Sequence, residues 1–118
     1  MVIFVLIEYT CAADAIGGEH VDLDSLLKEA DFVVCCLAMT PETKHTFDSA
    51  AFRKMKKSAI FVNVSRGGLV VQEDLISALK NGEIAAAGLD VMTPEPLPGD
   101  HELLQLRNCS KLTYVILC

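Results

Sequence analysis

The stretch SAIFVNVSRGGLVVQEDLISALKNGEIAAAGLDV, residues 58–91, decides the fold. SAIFVNV (58–64) is a short apolar run rich in β-branched residues, the pattern of a buried strand. QEDLISALKNGE (72–83) places Leu75, Ile76 and Leu79 at helical spacing, and Gly82 stands where a helix would stop. IAAAGLDV (84–91) is a second strand, built of small residues that let another element come close. Strand, helix and strand at this spacing predict a βαβ unit with parallel strands.

The same alternation extends outward. Upstream lie VIFVLIEY (2–9) and DFVVCCLA (31–38), two further strand-like runs. Between them, VDLDSLLKEA (21–30) predicts a helix with Asp22 as its N-cap. DSAAFRKMKK (48–57) predicts another, capped by Asp48, with Phe52 and Met55 facing inward. Downstream come a proline-rich turn, MTPEPLPGD (92–100), a short apolar segment, HELLQL (101–106), and a last strand-like piece, YVILC (114–118). The expectation is a single α/β domain over residues 1–118, a parallel sheet with helices on both faces.

Composition narrows the function. The chain has 118 residues, 52% of them hydrophobic and 22% charged, with a formal net charge of −6. It is too apolar for disorder and lacks the basic patch of a nucleic-acid binder. The N-terminal apolar run is too short to span a membrane. Five cysteines without a C-x-x-C pair, and three histidines without a zinc pattern, point to no metal site. They favour a reducing, cytoplasmic setting. Cys35 and Cys36, adjacent in a strand-like run, read as core residues on opposite faces.

Parallel strands joined by right-handed crossovers put all strand C-termini on one edge, and ligands of such sheets bind outside that edge. The loops there hold LAMTPET, VSRGG and LDVMTPEP, and with them Arg66, Asp90 and Glu95. Each has an ordinary explanation as a solvated turn residue. Each also has a chemical one. A guanidinium is always charged and matches a carboxylate bidentately. Gly67 and Gly68 allow close ligand approach. Glu95, between Pro94 and Pro96, holds a carboxylate in a rigid setting, where it could orient a histidine and favour its protonated form. His20, His45 and His101 read as surface residues. No G-x-G-x-x-G dinucleotide fingerprint occurs.

Three segments then stand out together: CLAMTPETKHTF (36–47), the stretch 55–98 with N-x-S-R-G, A-G-L-D-V and E-P in order, and HELLQLRNC (101–109). They resemble the D-isomer-specific 2-hydroxyacid dehydrogenases over residues 21–109. EPLP and LLxLxNC favour the glyoxylate/hydroxypyruvate reductase branch. The resemblance implies the later half of a NAD(P)-binding domain, a partial Rossmann-like doubly wound sheet. It implies that Arg66 binds the carboxylate of a small 2-oxo acid and that Glu95 pairs with a catalytic histidine. Asp90 would accept from the nicotinamide carboxamide, and Leu37, Ala38 and Val64 would line the cofactor. The cofactor is NADPH or NADH, with a lean to NADPH, and the complete family enzyme is a homodimer.

The chain departs from the family pattern at both ends. The family's Pro-His-x-Gly is replaced by a divergent tail, 110–118, and the Gly-rich phosphate loop is absent. The expectation is a truncated chain with no measurable reductase activity of its own. Two other readings keep the residues but change their use. One is a dinucleotide-binding module like the corepressors related to these dehydrogenases. The other is a non-functional truncated product.

Overall fold

The structure, a computed structural model, describes residues 1, 3–6 and 17–111. Among them, five strands form one parallel sheet: β1 (Ile3–Leu6), β2 (Phe32–Cys35), β3 (Ile60–Asn63), β4 (Ala86–Leu89) and β5 (Cys109–Lys111). Their spatial order follows the chain, β1-β2-β3-β4-β5. Phe32, Ile60 and Ala86 stand in register across the three central strands. The helices are α1 (Leu23–Glu29), α2 (Ser49–Lys54) and α3 (Gln72–Asn81).

The caps form where the sequence places them. Asp22 accepts a hydrogen bond from the Ser25 amide at 3.0 Å and opens α1. Asp48 accepts from the Ala51 amide at 2.9 Å and opens α2. Gly82 closes α3 with φ +68°, in the left-handed region that glycine enters without steric cost.

The helices pack α1 on α2 and α2 on α3, so they lie side by side. Sequential strand order with right-handed crossovers requires this, because each connection returns over the same face. The expectation of helices on both faces is therefore corrected for the described residues. A one-sided helix layer is what one half of a doubly wound sheet carries.

Burial records the difference between the faces. Val33, Cys35, Phe61, Asn63, Ala87 and Leu89 point into the buried layer. Phe32, Val34, Ile60, Val62, Ala86 and Gly88, on the other face, are only half-buried. The core centres on Phe61, whose ring lies 4.7 Å from Phe47 and 5.5 Å, edge-on, from Phe52 of α2. Leu27, Leu69, Leu75, Ile84 and Leu103 complete it.

Two segments near the C-terminus add to the sequence reading. HELLQL forms a 3₁₀ turn over Glu102–Gln105. The fifth strand is Cys109–Lys111, which has no apolar run; Ala87 pairs with Cys109 and Leu89 with Lys111. Pairing with β4, rather than local propensity, makes it a strand. YVILC lies outside the described residues, as does most of the link after VIFVLIEY. Among the described residues no helix is long and apolar enough to cross a membrane.

Candidate functional site

The carboxyl ends of β2, β3 and β4 meet at one rim. Three hydrogen bonds lock it. The Val64 amide donates to the Cys35 carbonyl at 3.4 Å, and the Asp90 amide to the Asn63 carbonyl at 3.0 Å. The Ser65 hydroxyl donates to the Leu37 carbonyl. The loops after three neighbouring strands are thus tied to one another before any side chain acts.

Asn63 organises the Arg66 turn. It is the buried polar residue of the described core, 1% exposed. Its Oδ1 accepts from the Ser65 amide at 3.0 Å, and its Nδ2 donates to the Arg66 carbonyl at 3.0 Å. A buried amide satisfied on both sides holds the turn in one conformation. The signal for it was the N of N-x-S-R-G, a polar residue at a strand position that alternation makes inward.

Arg66 is exposed, and Nη1 donates to the Ser65 carbonyl at 2.9 Å. It forms no ion pair among the described residues, so the guanidinium keeps donors free. Val64, 48% exposed, offers an apolar surface on the same strand end. Leu37 is buried, while Ala38 is exposed and its carbonyl accepts from Thr43 Oγ1 at 2.7 Å.

Asp90 is half-buried, and its Oδ1 is sealed from solvent with no hydrogen-bond partner. A buried carboxylate oxygen left unpaired is costly, and it can accept a donor that the described residues do not supply. Asp90 follows β4 directly, beside the strand that leads to Arg66.

Glu95 is exposed and turned back on its own loop. Its Oε1 accepts from the Met92 amide at 2.8 Å, leaving Oε2 open. The bonds Thr93–Pro94 and Glu95–Pro96 are both cis. This loop touches the Arg66 turn through Gly67, which packs on the Met92 backbone. Gln72, at the start of α3, holds Thr93: Oε1 accepts from its amide at 3.0 Å and Nε2 donates to its carbonyl at 2.5 Å. Sequence reasoning gave Gln72 no role, and nothing in its spacing from Thr93 could have signalled one.

Arg66, Asp90 and Glu95 therefore belong to one connected rim. His101 reaches the rim through Gln72, whose Nε2 lies 3.5 Å from His101 Nε2. His101 is half-buried and its Nδ1 accepts from the Leu103 amide at 3.2 Å, capping the 3₁₀ turn. His45, at φ +60°, is held by its backbone to the Gly68 carbonyl. A cleft of about 420 Å³ lies behind the rim, lined by Lys44, His45, Gln72, Glu73, Thr93 and His101 among others. Arg66 and Asp90 do not line it. Among the described residues no cluster suits a metal ion.

A parallel α/β sheet with an arginine, an orphaned carboxylate oxygen and an apolar strand end on its carboxyl edge has its polar groups where open sheets of this class bind ligands. Comparison places the chain more narrowly. The family model for the D-isomer specific 2-hydroxyacid dehydrogenase, NAD binding domain, matches residues 3–115, and the chain belongs to that family. It is 52% identical over 98 residues to the glyoxylate reductase/hydroxypyruvate reductase of Mus musculus, covering 83% of this chain and 30% of that relative. It is similar to the D-isomer specific 2-hydroxyacid dehydrogenase of Xanthobacter autotrophicus solved with NADPH and MES. There the TM-score is 0.75 at 35% identity, with 79% of this chain and 30% of that one covered. The NAD complex of the enzyme from Lactobacillus delbrueckii ssp. bulgaricus gives a TM-score of 0.77 at 33% identity, covering 87% of this chain and 35% of that chain. The chain thus spans about a third of the length of these relatives.

Proposed function

We propose that the rim forms the nicotinamide-side half of a NAD(P)H-dependent reductase that converts a small 2-oxo acid, glyoxylate or hydroxypyruvate, to its D-2-hydroxy acid. The orphaned Asp90 oxygen carries this reading, since it can accept a donor such as the carboxamide N–H of nicotinamide. When bound, the dinucleotide supplies the hydride. The chain's own residues do the rest. Arg66 offers its free guanidinium donors to the substrate carboxylate, and its turn is preset by Asn63, so little freedom is lost on binding. Leu37, Ala38 and Val64 border the cofactor with backbone and apolar surface. Glu95 presents Oε2 to an imidazolium, favouring the protonated acid that completes the reaction. NADPH is favoured over NADH, and the complete enzyme works as a homodimer.

The test is a titration of the purified chain with NADPH and, separately, NADH, followed by amide resonances. The reading expects the Val64 and Asp90 amides to shift on addition of nucleotide. Oxalate, added next, should then move the Arg66 guanidinium signal and the rim amides. Asp90→Ala should weaken the nucleotide response severalfold, and Arg66→Gln should leave that response intact while oxalate no longer shifts the rim amides. Rim amides that stay still at saturating levels of both nucleotides would overturn the proposal.

A further inference from the structure

We infer that Gln72 is the positioning residue of this rim, setting the loop that carries Glu95 against the turn that carries Arg66. The inference rests on the reading of Arg66 and Glu95 as ligand-facing groups. Its geometry stands apart from that reading.

Gln72 and Thr93 are far apart in sequence, yet one side-chain amide serves both polar backbone groups of Thr93. Two antiparallel bonds to a single residue reproduce the exchange of a hydrogen-bonded strand pair. They fix the orientation of Thr93 as well as its place. A single bond would leave it free to rotate.

Thr93 is the hub of the loop. On one side is Met92, whose carbonyl lies against Gly67 and whose amide is taken by Glu95 Oε1. On the other side, Pro94 leads into Glu95. Holding Thr93 therefore sets where the Met92 amide points, and the Met92 amide sets where Glu95 Oε1 is held. Gln72 itself follows Arg66 by one 3₁₀ turn, Gly67–Leu69, and a short extended link. One rigid segment thus carries the cation and clamps the anion. The side chain must both donate and accept at this reach. Glutamate keeps only the acceptor, and leucine keeps neither. Thr93 and Glu95 are exposed, so water competes for these bonds and their net stabilisation is small. The clamp contributes position more than stability.

Amide spectra of the 118-residue chain, recorded without ligand across the carboxylate titration range, test this. In the wild type the Met92 amide shift should follow ionisation of Glu95, and Glu95→Gln should abolish that response, fixing its origin. Gln72→Leu should uncouple the Met92 amide from Glu95 and raise exchange of the Thr93 amide severalfold, with the amides of α3 unchanged. Gln72→Glu should keep most of the Thr93 amide protection, because its carboxylate still accepts that bond. If Gln72→Leu does not fold, Gln72→Glu decides: Thr93 protection kept with altered Met92 titration supports the clamp. Wild-type Met92 titration and Thr93 exchange in a folded Gln72→Leu chain, or an unaltered Met92 titration in Gln72→Glu where that variant decides, would overturn it. Failure of the wild type to bind nucleotide would remove the functional reading while leaving this result intact.

Discussion

Gly67 and Met92 touch backbone to backbone. A Cβ placed on Gly67 would stand 2.6 Å from the Met92 carbonyl carbon and 2.6 Å from Thr93 Oγ1. The Met92 carbonyl is backbone, so the contact cannot relax cheaply. This is where the loop after β4 closes on the turn after β3, and it requires the absence of a side chain rather than an unusual φ.

Gly67→Ala should therefore cost about 1–3 kcal/mol of folding stability, the usual range for overpacking. Gly82→Ala meets no steric obstacle, but it forces alanine into a left-handed φ of +68°. Its cost should come from the backbone alone, about 1 kcal/mol. Urea melts of both variants, with rim amides as a local probe, separate the two mechanisms. Only Gly67→Ala should move the Arg66 and Met92 signals.

Asn63→Ala should destabilise the chain by about 1–3 kcal/mol, because it removes the partner of the part-buried Ser65 amide and Arg66 carbonyl and empties the buried site of Asn63. Arg66→Gln, at an exposed site, should stay within about 0.5 kcal/mol of the wild type. A chemical melt in which the two variants are equally stable would show that the Asn63 network does not hold the turn.

The α1 cap gives a pH signature. Hydrogen bonds from the Ser25 amide and hydroxyl hold the Asp22 carboxyl below its ordinary value of 3.8. A depressed folded value means that the cap's stabilisation is fully present above pH 3.8 and fades as pH falls through the lower folded value. Asp22→Ala should lower the melting temperature at neutral pH, and the gap to wild type should close on acidification. A gap that stayed constant into strong acid would contradict the ionised cap.

Burial pushes the Cys35 and Cys109 thiols up from 9.0, so both stay protonated at neutral pH as well as shielded. Cys36, one residue along, is half-buried on the opposite face. Of these three, iodoacetamide should label Cys36 first in the native chain, and Cys35 and Cys109 only as it unfolds. Peptide mass mapping against time reads the order directly.

Much of this was legible before any coordinates. Asp22, Asp48 and Gly82 announce helix ends because capping is a contact between residues three or four apart. The runs around Val33 and Phe61 announce strands because their side chains must leave water. Given parallel strands, the placing of Arg66, Asp90 and Glu95 on one edge follows from chain direction alone. Other features had no local trace. Cys109–Lys111 is a strand only because β4 offers it a ladder. That the described helices all lie on one face could not be read from strands apolar on both sides.

The sequence by itself determined the helices, the first four strands, their order and the edge on which the charged groups gather, since each depends on neighbours within a turn or a strand. Only the tertiary structure decided that Asn63 braces the Arg66 turn from inside, that Gly67 lies under Met92, and that Gln72 grips Thr93. It also decided that Asp90 keeps one oxygen without a partner. The last three depend on loops after different strands being brought together by the sheet. Spacing along the chain carries no record of such encounters, because their geometry exists only once the strands have paired.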